Sequence, residues 1–142
     1  MNASRSFKTV ALAGACGVGL AVVVGAPPAQ AGPSDGWSRV DPDDAHIQEL
    51  ASLALDYFNI HSNDSSYHRL IKVLDARSRV VSGVQYKIEL LEGRTECRKN
   101  STPATESHRC PLQEGGTTYR CTAEVWEKSW ENFREVSSYD CR

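Results

Sequence analysis

Residues 79–90 read Arg-Val-Val-Ser-Gly-Val-Gln-Tyr-Lys-Ile-Glu-Leu and carry the clearest structural signal in the chain. Over residues 84–90, apolar side chains alternate with Gln, Lys and Glu, which is the two-residue period of a strand with one buried face. The dipeptide Ser82-Gly83 directly before this strand marks a turn. The apolar pair Val80-Val81 leads into that turn, where polar residues are usual. These two side chains either fold back into a core or form an exposed contact surface.

A helix precedes this segment and three further strands surround it. Apolar residues recur at i, i+3, i+4, i+7 and i+11 along one helical face: Ile47, Leu50, Ala51, Ala54 and Phe58. Asp41 suits the N-cap position and Pro42 the first helical position. Strand patterns cover residues 67–77, 117–126 and 133–141. These elements predict an α+β domain, in which one N-terminal helix is wrapped by a four- to five-stranded antiparallel sheet.

A second apolar side chain falls in a predicted turn. Residues 127–132 separate the last two predicted strands, and Trp130 lies at the tip of this break. For either turn taken alone, packing into the core is the simpler interpretation. Two apolar turns in one domain favour an exposed binding edge, because large apolar patches on a soluble surface mark interaction sites.

The N-terminal segment has the organisation of a secretory signal peptide. Two basic residues open it, residues 10–26 are uncharged, and Ala29-Gln30-Ala31 offers small residues for cleavage. A retained membrane anchor is the alternative, but the apolar run is shorter than the roughly 20 residues that span a bilayer. We therefore expect a signal peptide over residues 1–31 and a secreted, extracellular domain over residues 32–142, with no membrane partner. Residues 32–40 are small and polar, which predicts a mobile arm.

Charge and cysteine content limit the partners. Without the predicted signal segment, 14 basic and 18 acidic residues remain, so the net charge moves from −2 to −4. This acidic balance argues against nucleic acid as a partner. Once Cys16 leaves with the signal segment, an even number of cysteines remains in an oxidising compartment: Cys97, Cys110, Cys121 and Cys141. Two disulfides are expected, with all three pairings open, and the lack of a Cys-x-x-Cys pair disfavours a zinc site.

No catalytic signature occurs in a setting that supports catalysis. The motifs H-E-x-x-H and G-x-x-x-x-G-K-[ST] are missing, and the G-x-S-x-G match at residues 32–36 has no predicted strand before it, as a nucleophile elbow requires. The histidines are scattered, and we interpret all of them as solvated: His46, His61, His68 and His108. We therefore expect neither an enzyme nor a protein that needs a metal or a cofactor. A secreted hydrolase is the alternative, which turnover by the protein alone would reveal.

These residues resemble the secreted, type 2 cystatins over nearly the whole predicted domain. That family carries Gln-x-Val-x-Gly in its first hairpin, where this chain has Arg79-Val80-Val81-Ser82-Gly83. The family's second hairpin carries Pro-Trp, matched by Ser129-Trp130, and a glycine before its helix is matched by Gly36. The cysteines fall in the family's order, which implies the pairs Cys97–Cys110 and Cys121–Cys141.

The resemblance implies an inhibitor of papain-like cysteine proteases, with cathepsins L, S and C-like enzymes as partners. In cystatins the N-terminal arm and two hairpins form one wedge that enters the active-site cleft, so binding is reversible, competitive and tight. Arg79 for Gln, Ser129 for Pro and a polar arm ending in Asp35 depart from the family pattern. We therefore expect cathepsin L-like enzymes to be inhibited best and cathepsin B weakly. A secreted ligand or receptor-binding protein with little inhibition is the alternative, and a monomer that can swap domains through the first hairpin is the expected assembly.

A second site is suggested by the loop after the helix. Some secreted cystatins inhibit legumain, an asparagine-specific protease, through Ser-Asn-Asp in this loop, and this chain has Ser62-Asn63-Asp64 there. Asn63 would be the reactive residue, although Asn and Asp are also ordinary loop residues. Asn63 and Asn100 each begin a glycosylation sequon, and a glycan on Asn63 should block legumain.

Overall fold

The computed structural model describes residues 36–142, so the predicted signal peptide lies outside the described residues. One α-helix packs against a five-stranded antiparallel sheet with the strand order β1-β2-β3-β4-β5. The bounds are β1 Ser38–Val40, α1 Ala45–His61, β2 Ser66–Val81, β3 Gly83–Arg98, β4 Thr118–Lys128 and β5 Phe133–Cys141, with 3-10 turns at Ala104–Arg109 and Ser129–Glu131. The predicted α+β class is confirmed.

The helix α1 begins later than the sequence predicts. The side chain of Asp41 accepts the backbone N–H of Asp43 at 2.9 Å and so caps a turn before the helix. The N-cap is Asp44, whose carboxylate accepts the N–H of His46 at 3.2 Å. The prediction that Asp41 caps α1 and Pro42 opens it is therefore wrong. Several Asp residues in a row can each cap a turn, so composition alone does not choose among them.

The core lies between α1 and the inner face of the sheet. Along α1 it contains residues that the helical period predicts: Ile47, Leu50, Ala51 and Ala54. The sheet adds inward-facing residues of its three central strands: Val73, Ala76, Ile88, Leu90, Ala123 and Val125. The register places Ala76, Ile88 and Ala123 side by side across β2, β3 and β4. Because burial of one aliphatic side chain contributes about 1.5–3 kcal/mol, this layer fixes the helix on the sheet.

The first strand corrects the prediction of a mobile arm that reaches residue 40. Residues Ser38–Val40 form β1 and pair with β2, with Ser38 opposite Ser78 and Val40 opposite Ala76. Three residues show too little periodicity for a sequence pattern to reveal a strand. Their pairing places the chain just before β1 beside the hairpin that joins β2 to β3.

The two ends of the sheet differ in what they hold. One end contains Gly36 and Trp37, the β2–β3 turn at residues 80–83 and the β4–β5 turn at Ser129–Glu131, and we call it the hairpin end. The other end contains the loop of residues 62–65 and two disulfides, and we call it the disulfide end. Over residues 36–142, no helix has the length and apolar character needed to cross a membrane.

Both disulfides follow the pairing that the resemblance implies. Cys97–Cys110 joins the end of β3 to the end of a 3-10 turn. Cys121–Cys141 joins β4 to β5 where the two residues lie directly opposite, with their Cα atoms 4.0 Å apart. A disulfide that closes a loop of this size stabilises a small domain by about 2–4 kcal/mol.

Candidate functional site

The antiparallel order brings the three predicted binding segments to the hairpin end. Strands β3 and β5 begin at this end, while β2 and β4 finish there. Ser38 of β1 pairs with Ser78, three residues before β2 ends at Val81, so the segment at Gly36 lies at the same end. The candidate site therefore lies at one end of the strands of a single sheet, the hairpin end.

The first hairpin presents apolar side chains outward. Val80 is 87 % exposed and Val81 is 37 % exposed, so the interpretation that they fold back into the core is wrong. Gly83 has φ +98°, and a Cβ atom built on it would lie 2.4 Å from the carbonyl oxygen of Glu127. Any larger residue would strain the backbone and push the hairpin away from β4. The glycine therefore keeps the turn tight and close to the second hairpin.

The second hairpin presents Trp130 in the same way. This side chain is 65 % exposed, and its indole N–H donates to the carboxylate of the neighbouring Glu131 at 3.2 Å. Asn132 has φ +52° and donates its backbone N–H to the carbonyl of Ser129 at 3.2 Å, which closes the turn. The outward orientation leaves a large flat aromatic surface uncovered.

Trp126 connects the two hairpins and was missed in the sequence. Its indole N–H donates to the carbonyl of Ser82 at 2.8 Å, so β4 holds the tip of the first hairpin. Lys128 lies 4.6 Å from the centre of its indole ring, and Phe133 packs edge-on against it. The signal available was an aromatic residue on the face of β4 that is otherwise polar.

Trp37 connects the first segment to the first hairpin and was also missed. It is only 5 % exposed, although it directly follows Gly36, which has φ +81°. The guanidinium carbon of Arg79 lies 4.4 Å from the centre of the indole ring, and Lys87 Nζ lies 4.7 Å from it. Arg79 also donates to the side chain of Gln85 at 2.9 Å.

A charged cluster fixes the second hairpin to the start of α1. Glu127 Oε1 lies 2.8 Å from His46 Nε2, and Arg134 Nε donates to Glu127 Oε2 at 2.7 Å. Arg134 also reaches the carboxylate of Glu49 at 3.1 Å. Burial alone would raise the pKa of Glu127, but the bonds from His46 and Arg134 outweigh burial and lower that pKa. The ionised carboxylate therefore holds helix and hairpin together.

The disulfide end contains a buried polar network. His68 is 4 % exposed, and its ring nitrogens lie 2.8 Å from Asp64 Oδ2 and 3.1 Å from Glu92 Oε1. Tyr139 donates its hydroxyl to Glu92 Oε2 at 2.7 Å. The prediction that all four histidines are solvated is therefore wrong for His68. The sequence pattern could not reveal this, because Glu92 lies on another strand.

The charge states in this network follow from its contacts. Burial alone would lower the pKa of His68, but hydrogen bonds with Glu92 and Asp64 outweigh it and raise that pKa. Burial alone would raise the pKa of Asp64, but bonds from His68, the Ser66 N–H and Arg94 hold it far below its usual range. An imidazolium between two carboxylates satisfies both ring N–H groups. The network thus stabilises the fold.

The predicted second site lies at the disulfide end. Asn63 is exposed, whereas Asp64 is held by His68, Arg94 and the backbone of Ser66. Lys99 Nζ donates to the carbonyl and the hydroxyl oxygen of Ser62 at 3.2 Å. The loop is therefore anchored on both sides of a free asparagine side chain. Asn100, the other sequon asparagine, is exposed just after β3 ends.

The described residues define a class of protein: a helix packed on an antiparallel sheet, with exposed apolar side chains on two neighbouring hairpins at one end. The family model described as the Cystatin domain matches residues 36–130. The chain is 37 % identical over 107 residues to Cystatin-1 of Chilobrachys guangxiensis, which covers 75 % of this chain and 80 % of that protein. It is 41 % identical over 101 residues to onchocystatin of Onchocerca volvulus, which covers 71 % of this chain and 62 % of that protein.

Comparison with solved structures also finds similarity to this family. The crystal structure of Al-CPI superimposes with a TM-score of 0.68 at 40 % identity, covering 75 % of this chain and 97 % of that chain. The chain therefore belongs to the cystatin family. Members of this family are generally inhibitors of cysteine proteases and are not enzymes.

Proposed function

We propose that this protein is a reversible, tight-binding inhibitor of papain-like cysteine proteases that uses its hairpin end to occlude the active-site cleft. The observation that carries the proposal is the outward display of Val80 and Trp130 at one edge of a rigid sheet. Uncovered apolar side chains of this size are characteristic of contact surfaces. Residues around Gly36 would cover one side of the catalytic cysteine, and the two hairpins would cover the other.

Rigidity of this edge supports tight binding. Trp126 fixes the first hairpin through Ser82, and Glu127 fixes the second hairpin to α1 through His46. Because these turns are ordered before a protease arrives, little conformational entropy is lost on binding. Trp130 offers the kind of flat aromatic anchor that dominates many interfaces.

The departures from the family pattern are compatible with inhibition. Arg79 is engaged by Trp37 and Gln85, so it does not place an unpaired charge at the tip of the hairpin. Ser129 opens a turn that the Asn132 N–H closes without help from a proline. The polar arm remains the weak element, because Asp35 suits an apolar subsite poorly. We therefore propose cathepsins L, S and C-like enzymes as targets in preference to cathepsin B.

Titration of active-site-calibrated papain and cathepsin L with the purified domain tests this proposal. Stoichiometric loss of activity, relieved by dilution, is the expected result. A folded protein that leaves both enzymes active would contradict it, and would favour the alternative of a secreted ligand or receptor-binding protein. Inhibition constants for cathepsins L and B of equal size would contradict the proposed ranking.

We further propose a legumain-binding site at Asn63. The exposed side chain lies on a loop that His68, Arg94 and Lys99 anchor, at the end of the sheet away from the hairpins. One molecule could then bind both classes of protease at once.

Two variants separate the legumain contact from glycosylation. Asn63→Lys removes the reactive side chain, whereas Ser65→Ala removes the sequon and keeps Asn63. We expect Asn63→Lys to abolish legumain inhibition and Ser65→Ala to retain or increase it, with papain inhibition unchanged in both. Legumain inhibition that survives Asn63→Lys would refute the site.

Secretion is proposed from the signal peptide over residues 1–31. Expression of the full chain in eukaryotic cells should release a protein that begins at Gly32 and carries both disulfides. Enzymatic removal of N-glycans, followed by mass analysis, tests the proposed glycans on Asn63 and Asn100. A product retained in the cell with its N-terminus intact would contradict secretion. We propose a monomer, and sizing by light scattering would detect a dimer swapped through the first hairpin.

A further inference from the structure

Trp37 is buried on the side of the sheet that faces away from the helix. Val40 of β1 pairs with Ala76, a core residue on the inner face, and side chains alternate along a strand. Trp37 therefore belongs to the outer face, where Arg79 and Lys87 lie 4.4 and 4.7 Å from the centre of its ring. Two basic side chains lie over its ring on this face, and Trp37 does not belong to the core between helix and sheet.

We propose that Trp37, Arg79 and Lys87 form a clamp that positions the segment Gly36–Trp37 at the hairpin end, which makes Arg79 a positioning residue for protease binding. We call these three residues the Trp37 clamp. The inference rests on the proposed function and deepens it, because it assigns a role to a residue that departs from the family motif.

Arginine suits this position for a physical reason. A planar guanidinium can stack on an indole ring and still donate within its own plane, and Arg79 does both by contacting Trp37 and donating to Gln85 at 2.9 Å. Gln85 in turn donates to Glu124 of β4 at 3.4 Å. A glutamine at residue 79 would carry no charge for the indole and would be shorter.

The clamp matters because β1 is too short to hold the chain alone. Three residues pair with β2 at the edge of the sheet, and edges this short fray easily. Fixing Trp37 also fixes the adjacent Gly36, whose φ of +81° is a conformation that glycine adopts readily. Gly36 and Trp37 would then meet a protease already ordered, so less conformational entropy is lost on binding.

Inhibition constants for cathepsin L test the clamp with a matched control. We expect Arg79→Met and Trp37→Ala each to raise the inhibition constant by about tenfold. The double variant should show no further increase over the larger of the two single effects, because both changes break the same contact. Arg77→Gln is the control, because Arg77 lies on the same strand and face but pairs with Asp75. It should change the constant by less than about twofold. Equal losses for Arg79→Met and Arg77→Gln would overturn the proposal.

Gly36→Ala separates positioning from general stability. No atom lies within 4 Å of a Cβ at this residue, so the substitution acts through the backbone angle and not through a clash. In the clamped protein it should weaken inhibition by about tenfold, and in the Arg79→Met background by less than about twofold, because the segment is then already misdirected. Equal effects of Gly36→Ala in both backgrounds would contradict positioning.

Hydrogen exchange gives a readout that does not depend on inhibition. Arg79→Met should speed exchange of the β1 amides by about tenfold or more and leave the amides of β3 and β4 unchanged. Unchanged β1 protection would overturn the clamp. If the wild-type protein inhibits no papain-like protease and Arg79→Met still speeds exchange of the β1 amides, the proposed function is refuted and the clamp remains a structural contact.

Discussion

The two ends of the sheet differ in which side chains they expose and which they bury. The hairpin end leaves Val80 and Trp130 in solvent, whereas the disulfide end buries His68 and the fully enclosed Glu92. Covering exposed apolar groups with a binding partner lowers the free energy of the complex. Buried polar groups destabilise a fold unless each of them makes a hydrogen bond. One end is thus suited to binding and the other to maintaining the fold.

Removal of Glu92 should produce the largest change and should affect stability alone. Glu92→Ala leaves Nδ1 of His68 and the Tyr139 hydroxyl without their acceptor, so we expect unfolding free energy to fall by about 3 kcal/mol. Glu89→Ala, on the same strand, is the control, because its pairing with Arg120 is largely exposed and is worth about 1 kcal/mol at most. Urea unfolding measures both. Similar losses for the two variants would contradict the assignment of the network to stability.

Removal of the Trp130 side chain should weaken inhibition and leave stability nearly unchanged. Trp130→Ala is expected to weaken inhibition of papain or cathepsin L by about 30-fold, because it deletes an aromatic anchor, and to leave stability within about 0.5 kcal/mol. Ile60→Ala is the control, since Ile60 is 74 % exposed on α1 away from the hairpins. A Trp130→Ala variant that inhibits as well as the wild type would break the contrast between the two ends.

The contribution of the disulfide end to unfolding free energy should depend on pH. The pKa of His68 is raised in the fold, so its contribution is fully present below about pH 6.5 and is lost as the pH rises through the folded value. The pKa of Asp64 is lowered, so its contribution is present above about pH 3.9 and is lost as the pH falls. Unfolding free energy should therefore be highest between about pH 4 and 6.5.

The variant His68→Gln isolates this effect from other titrating groups. The groups that face His68 are Asp64 of the loop, Glu92 of β3 and Tyr119 of β4, while Arg94 reaches the same carboxylate of Asp64. Urea unfolding from pH 4 to 9 should show a decline above pH 6.5 in the wild type that is reduced in His68→Gln. Wild-type stability that increases over this range would contradict the assignment.

The smallest expected effect is stronger inhibition from a change in the polar arm before Gly36. Asp35→Leu supplies an apolar side chain for the cleft and should strengthen inhibition of cathepsin L by about fivefold. Asp140→Leu removes the same charge at the disulfide end and should change nothing. Inhibition assays with both variants check this, and an equal gain from Asp140→Leu would indicate a general charge effect.

The sequence predicts the elements that repeat along the chain and misses those that depend on distant partners. The helical period of α1 and the alternation over residues 84–90 are local patterns, and both lead to the correct core. The burial of His68 depends on Glu92, 24 residues away, and the burial of Trp37 depends on Arg79, 42 residues away, so no local window contains either cause. The exposure of Trp130 is predicted by the presence of two apolar turns in one domain, because either turn taken alone favours packing into the core.

The central claim is that a protease contacts the hairpin end. Hydrogen exchange of the protein in complex with a papain-like protease whose catalytic cysteine is replaced by serine tests it most directly. We predict strong protection at residues 80–83 and Ser129–Glu131, with no change in the loop of residues 62–65. Protection confined to the disulfide end, with the two hairpins exchanging as in the free protein, would contradict the account.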